Sequence, residues 1–187
     1  AYIGKLGKNL PSEVIQRYHQ LKKWGIAESC MKYIFKRNLF DIIREIHEKL
    51  GVDAKFAGNF VGHRLKWIEG HFPKGDGFEY QRVVDLFRFM NERNIKYSLA
   101  HKIMQVLYQY PKMDMDSILT VIKFKFREQE ELTGKISFLN EKFNSLARRN
   151  LINNRINWIM GSLIPMAQGN MDLKNLYTIG KQQIESK

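Results

Sequence analysis

One cysteine, four prolines and no apolar run long enough to cross a bilayer: these scarcities already exclude much for a chain of 187 residues. Cys30 alone rules out an intramolecular disulfide and any Cys-rich zinc site, and a reducing, intracellular setting is the default. No stretch approaches the ~20 apolar residues of a membrane-spanning helix. Residues Ala1 to Leu10 lack the charged-then-apolar order of a secretory signal, so a cytoplasmic location and no membrane are expected. Catalytic signatures are equally scarce. The histidines are His19, His47, His63, His71 and His101, and no two stand at the i, i+4 spacing of a His-Glu-x-x-His zinc motif. Gly-x-Ser-x-Gly and the phosphate loop of nucleotide-binding proteins are missing; Gly75-Asp76-Gly77 reads as a turn. Glu130-Glu131 sits in a polar stretch without an apolar pocket to raise a pKa. No catalytic residue, metal or cofactor is expected within this chain.

Acidic residues are also few. Lys and Arg number 31 against 19 Asp and Glu, a formal net charge of +12. Such a surplus points to an anionic partner: nucleic acid first, an acidic protein or membrane surface second.

What the chain does have is apolar spacing of three and four almost throughout, which predicts an all-α fold. Ser12 and Glu13 mark a first helix that carries Val14, Ile15, Tyr18 and Leu21 on one face and ends near Trp24-Gly25. Further helices are expected over Glu28–Phe35 and Leu39–Leu50, the latter closed by Gly51 in the left-handed conformation. Asp53 caps a helix from Ala54 to about Glu69, ended by Gly70. The stretch His71–Gly77 is a loop and the strongest domain boundary, dividing the chain into a helical domain over 9–77 and a second helical unit over 78–187. Helices at Phe78–Glu92 and Ser98–Tyr110 follow, then one starting at Asp114 or Asp116. Lys123, Lys125 and Arg127 interleave with Phe124 and Phe126, and helical flanks predict that this alternation is helical too. Glu128–Lys135 reads as a polar connection. A long helix over Leu146–Ala167, kinked or cut short by Pro165, joins a last helix from Asp172 to about Glu185 through Gln168-Gly169-Asn170-Met171.

Cations near the end of the chain are the positive functional signal. Arg148, Arg149 and Arg155 lie on or before the long late helix. Lys174 and Lys181 are seven residues apart, close to two turns, and so share a helix face. Lysines and arginines neutralise phosphates and release counterions, and a rigid helical module with spaced cations reads structured RNA by shape and backbone. The aromatics fall mostly at core spacings, which makes base stacking by them the lesser expectation.

Three blocks carry a family resemblance. Leu10-Pro11-Ser12-Glu13 through Tyr18 to Trp24-Gly25-Ile26 is one, and Asp53-Ala54-Lys55-Phe56-Ala57-Gly58-Asn59-Phe60-Val61 is the second. The third runs from Arg155 to Leu163 and on through Gln168-Gly169-Asn170-Met171-Asp172 to Lys174. In this order they resemble the C-terminal helical and tail region, YqeY-like, of the B and E subunits of tRNA-dependent amidotransferases. Leu151-Ile152 stands where family tails often have Gly-Lys, and the turn is Gln-Gly-Asn where theirs is Lys-rich.

The resemblance implies an all-α architecture of two helical subdomains with a three-helix tail over about 136–187. It implies a non-catalytic tRNA-binding module of a glutamine-dependent Glu-tRNA(Gln)/Asp-tRNA(Asn) amidotransferase, a carbon–nitrogen ligase of protein biosynthesis. In that family a separate catalytic domain, using ATP and Mg, activates the misacylated tRNA, and a partner amidase subunit supplies ammonia. Expected RNA contacts are Arg148, Arg149, Arg155, Lys174 and Lys181. Gly161 is expected to let another helix approach, Gly169 to permit the turn, and Asp172 to cap the last helix. The alternative is a basic helical interaction module that docks an acidic protein.

Overall fold

A computed structural model describes residues 12–146 and 152–185. Every regular element among them is helical, with no strand. The α-helices are α1 Ser12–Lys23, α2 Glu28–Lys36, α3 Phe40–Leu50, α4 Ala54–Asn59, α5 Lys66–His71, α6 Gln81–Glu92, α7 Ala100–Gln109, α8 Met115–Val121, α9 Gln129–Leu146, α10 Ile152–Ala167 and α11 Leu173–Glu185. A π-helical turn, Phe60–Leu65, makes α4 and α5 one continuous rod, and a 3-10 turn, Tyr97–Leu99, precedes α7. No helix among the described residues is long and apolar enough to cross a membrane.

Local chemistry sets several helix ends. Asp53 Oδ1 accepts the Phe56 N–H at 2.8 Å, and Asp114 Oδ1 accepts that of Ser117 at 2.9 Å. Each capping carboxylate satisfies an amide that has no partner inside its helix. Asp116, the other expected start of α8, instead meets Arg93 at 3.0 Å. Gly51 closes α3 at φ 68°. Gly70 does not end its helix; the rod continues to His71, whose Nδ1 lies 2.7 Å from the Trp67 carbonyl and whose ring stacks on Trp67 at 4.2 Å.

The chain forms two compact units. One comprises residues up to Phe89 together with Met104–Met113; the other comprises Met90–Ile103 and residues from Asp114 onward. The loop 71–77 falls inside the first unit, where the Gly75 amide donates to the Tyr108 carbonyl at 2.9 Å.

In the first unit α2 buries Cys30, Met31, Tyr33 and Ile34, and it packs on the π-helical turn. Gly62 makes that approach possible, and Gly58 in α4 makes room for Ile26 in the loop before α2. A Cβ on Gly58 would stand 2.3 Å from Ile26 Cδ1, and one on Gly62 would stand 2.3 Å from Cys30 Cβ. Phe87 is fully buried and meets Phe60 edge-to-face at 5.2 Å.

In the second unit α9, α10 and α11 pack pairwise as a three-helix bundle. Its core contains Leu132, Ile136, Ile156, Ile159, Met160, Leu163, Leu176 and Ile184. Fully burying one such aliphatic side chain contributes ~1.5–3 kcal/mol. The expected polar connection 128–135 is mostly the start of α9. Gly134 faces open space there, so its only cost is conformational, and Leu132 and Ile136 anchor that part of the helix in the core.

Candidate nucleic-acid interface

The outer face of α11 is the first part of the candidate site. Leu176, Gly180 and Ile184 recur every four residues and turn inward. Lys174, Tyr177, Thr178 and Lys181 are consequently exposed on the opposite side. Lys174 and Lys181 stand about 10 Å apart along the axis, with Tyr177, 44% exposed, between them. Lys181 Nζ lies 3.8 Å from Glu185 Oε1, both groups being about half-exposed, and such pairs are weak. Lys174 makes no ion pair with the described residues. Its backbone instead serves the cap: Asp172 Oδ1 accepts the amides of Lys174 and Asn175 at 2.8 and 3.0 Å. Asp172 thereby fixes where α11 starts and which way its lysines point.

The turn before α11 has the expected Gly169 in the left-handed region, at φ +84°. Its role is wider than a turn. A Cβ there would stand 2.7 Å from Phe124 Cε2 and 2.9 Å from Leu99 Cδ2, closer than side-chain carbons come. The Gly169 amide donates to Ser98 Oγ at 3.1 Å, and its carbonyl accepts from the Lys96 amide at 2.8 Å.

The neighbouring Asn170 decides the conformation of a segment more than forty residues earlier. Its Nδ2 donates to the carbonyls of Lys125 (3.0 Å) and Met166 (2.9 Å), and its Oδ1 accepts the Arg127 amide at 3.1 Å. Helix α8 ends at Val121 in a local turn, with Lys123 at φ 56° and the Phe124 amide donating to the Leu119 carbonyl at 2.9 Å, and Asn170 then holds the irregular residues beyond it. This corrects the helical expectation for Lys123–Arg127. Lys102, Lys123, Phe124, Lys125 and Arg127 line an open recess of about 200 Å³, with Leu99, Ile122 and Met166 among its apolar members, and Phe126 stands beside it against Phe124.

Charge around this recess is uneven. Lys102, Lys123 and Lys125 are exposed and make no ion pair with the described residues. Arg127 pairs with Glu131, which also meets Lys135 Nζ at 3.2 Å. Lys135, and then Arg127, hold the Glu131 carboxyl below the usual carboxylate range. Phe126 is 60% exposed and meets Phe124 edge-to-face at 5.0 Å.

The expected contact residues are not all gathered. Lys174 and Lys181 share one face of α11. Arg155 is half-buried on the flank of α10 beside its packed side, and it carries interactions of its own. Arg148 and Arg149 lie outside the described residues. Gly161 is a correction: it is exposed, and a Cβ there would meet nothing within 4 Å. It stands on the solvent side of α10 with Asn157, while Ile156, Ile159, Met160 and Leu163 face the core. Close approach of another helix belongs to Gly62, packed against Cys30 of α2. Lys102, Phe126 and Asn170 are not among the contacts that the sequence leads one to expect. No sequence signal links Lys102 to a segment some twenty residues later; the fold alone does.

Cys30 Sγ lies 3.2 Å from His63 Nε2 and 3.9 Å from Asn59 Oδ1. The residue types resemble a nucleophile and its base. Burial, however, pushes the Cys30 thiol up, whereas thiolate chemistry needs the opposite shift. The side chain is fully buried and is explained by packing beneath Gly62. No group of three or more metal-ligating side chains occurs among the described residues.

Searches of family models, curated proteins and solved structures returned no match to this chain.

Proposed function

We propose that this chain binds tRNA as a non-catalytic helical module of a glutamine-dependent Glu-tRNA(Gln)/Asp-tRNA(Asn) amidotransferase. It positions misacylated tRNA in the cytoplasm while a separate ATP- and Mg-using domain and an amidase subunit do the chemistry. The observation that carries the RNA-binding part is the exposed row Lys174, Tyr177 and Lys181 on α11, in a chain with a net charge of +12. The assignment to an amidotransferase rests on the three sequence blocks.

Each lysine on that row neutralises phosphate without reading sequence, which suits a module that holds the body of a folded RNA. Titration of the full chain with deacylated tRNA at a series of salt concentrations tests the reading. The expected result is a linear, steep fall of log affinity with log salt. Displacement of tRNA by poly-glutamate as readily as by a second tRNA would sink it in favour of an acidic protein partner. Adding the chain to a catalytic amidotransferase domain and its amidase should restore amidation of misacylated tRNA; absence of restoration removes the enzyme assignment and leaves RNA binding in place.

A further inference from the structure

The row on α11 leaves the recess beside Lys123–Arg127 without a role. Three features of the recess and its edge belong together. Lys102, Lys123 and Lys125 converge there from α7 and the irregular segment, and none is neutralised by a described carboxylate. Its members Leu99, Ile122, Phe124 and Met166 are apolar. Phe126, held against Phe124 at 5.0 Å, is 60% exposed and contributes almost nothing to the core. A lone exposed aromatic is ordinary on a protein surface. An exposed aromatic next to three lysines that no described carboxylate neutralises is the combination used to hold single-stranded nucleic acid, where cations follow the backbone and rings take the bases.

Size narrows the ligand. At about 200 Å³ and open to solvent, the recess falls below the ~300–1,000 Å³ of sites that enclose small molecules. It accommodates one unit of a polymer whose remainder lies outside. A carboxylate-rich peptide would satisfy the lysines but leave the ring and the apolar lining unused.

Resting on the polynucleotide-binding reading above, we infer that this recess and the Phe126 ring at its edge bind an unpaired nucleotide of an RNA strand, its base stacked on Phe126 and its phosphates held by Lys102, Lys123 and Lys125. The site is prepared by Asn170. Its hydrogen bonds to Lys125 and Arg127 hold residues 125–127 out of helix, so the ring and the lysines are presented without an ordering step on binding.

The test compares a ten-nucleotide single-stranded RNA carrying one 2-aminopurine, the same RNA in duplex form, and deacylated tRNA. All three are titrated into the full chain and into Phe126→Ala, Phe126→Trp and Lys123→Gln/Lys125→Gln variants. Expected for the single strand is quenching of the 2-aminopurine on binding and a loss of about tenfold in affinity for Phe126→Ala. The salt slope should stay unchanged in that variant, and Phe126→Trp should retain affinity. Lys123→Gln/Lys125→Gln should lower the slope by about two. Duplex binding should be insensitive to Phe126→Ala.

Unaltered single-strand affinity in Phe126→Ala overturns the inference, as does an equal loss for duplex or displacement by poly-glutamate as effective as by RNA. If tRNA still binds with steep salt dependence while the single strand does not bind, the recess inference fails and the tRNA reading stands. If neither RNA binds, both fail.

Discussion

The carbonyl of Gly169 accepts the backbone amide of Lys96 at 2.8 Å, across 73 residues of chain. This bond, with that from the Gly169 amide to Ser98, docks the turn before α11 onto the segment before α7. Gly169→Ala should therefore be among the most damaging single-methyl additions in the second unit. The left-handed backbone costs about 1–2 kcal/mol for a residue with a side chain, and crowding Phe124 and Leu99 adds about 1–3 kcal/mol. The expected loss in urea unfolding is about 2–5 kcal/mol, and the measurement is the shift in midpoint at constant slope. A loss below about 0.5 kcal/mol would contradict the crowding.

Gly161 and Gly62 should respond to the same substitution with opposite signs. Gly161→Ala adds a methyl in open space on a helix and should stabilise by about 0.5–1 kcal/mol. Gly62→Ala puts its methyl on Cys30 and should destabilise by about 1–3 kcal/mol. Thermal melts of the two variants beside the parent chain decide this; equal shifts would mean that the glycine packing is misassigned.

Lys174 and Lys181 are predicted to contribute unequally to tRNA affinity. Either substitution to Gln should lower the salt slope by about one. Lys174→Gln should cost more affinity, because Lys181 must first give up its 3.8 Å pairing with Glu185. Glu185→Gln should accordingly tighten tRNA binding slightly. Salt-dependent binding isotherms for the three variants check the order, and a weaker complex with Glu185→Gln contradicts it.

Alkaline pH should destabilise the first unit. Burial, reinforced by Glu69, holds the Tyr33 phenol far above its usual range. Burial and the 2.7 Å hydrogen bond to Glu69 do the same for Tyr80. A phenol whose pKa is higher in the folded state is favoured neutral by the fold. Its contribution is thus complete below the unfolded value near ~10 and disappears as pH rises through the folded one. Urea midpoints should fall above about pH 10, with phenolate absorbance from these two tyrosines appearing only on unfolding. Tyr80→Phe should cost about 1–2 kcal/mol at neutral pH by leaving Glu69 one donor short. Free ionisation of both tyrosines in the folded chain would refute the buried network.

Much of the helical frame was legible because its signals are local. Asp53 caps an amide three residues ahead, Gly51 supplies its own left-handed φ, and Leu176, Gly180 and Ile184 repeat at the pitch of one helix face. Asp172 and Gly169 were readable for the same reason. Lys174 and Lys181 share a face by spacing alone, so that part of the candidate site needed no tertiary information.

Elsewhere the sequence by itself was silent or pointed the wrong way. The exit from the helix at Lys123 is a left-handed turn without the glycine that would announce it, and the partner that holds Lys125 and Arg127 beyond it is the distant Asn170. Gly134 suggested a break, yet neighbours buried in the bundle keep α9 helical. Gly161 and Gly62 both sit in helices, and only the rotation of each helix against its neighbours decides which one receives another residue's side chain. Periodicity determines which residues lie together on one element. Which elements, and so which cations, face one recess depends on contacts between residues far apart in the chain, and these form only in the packed fold.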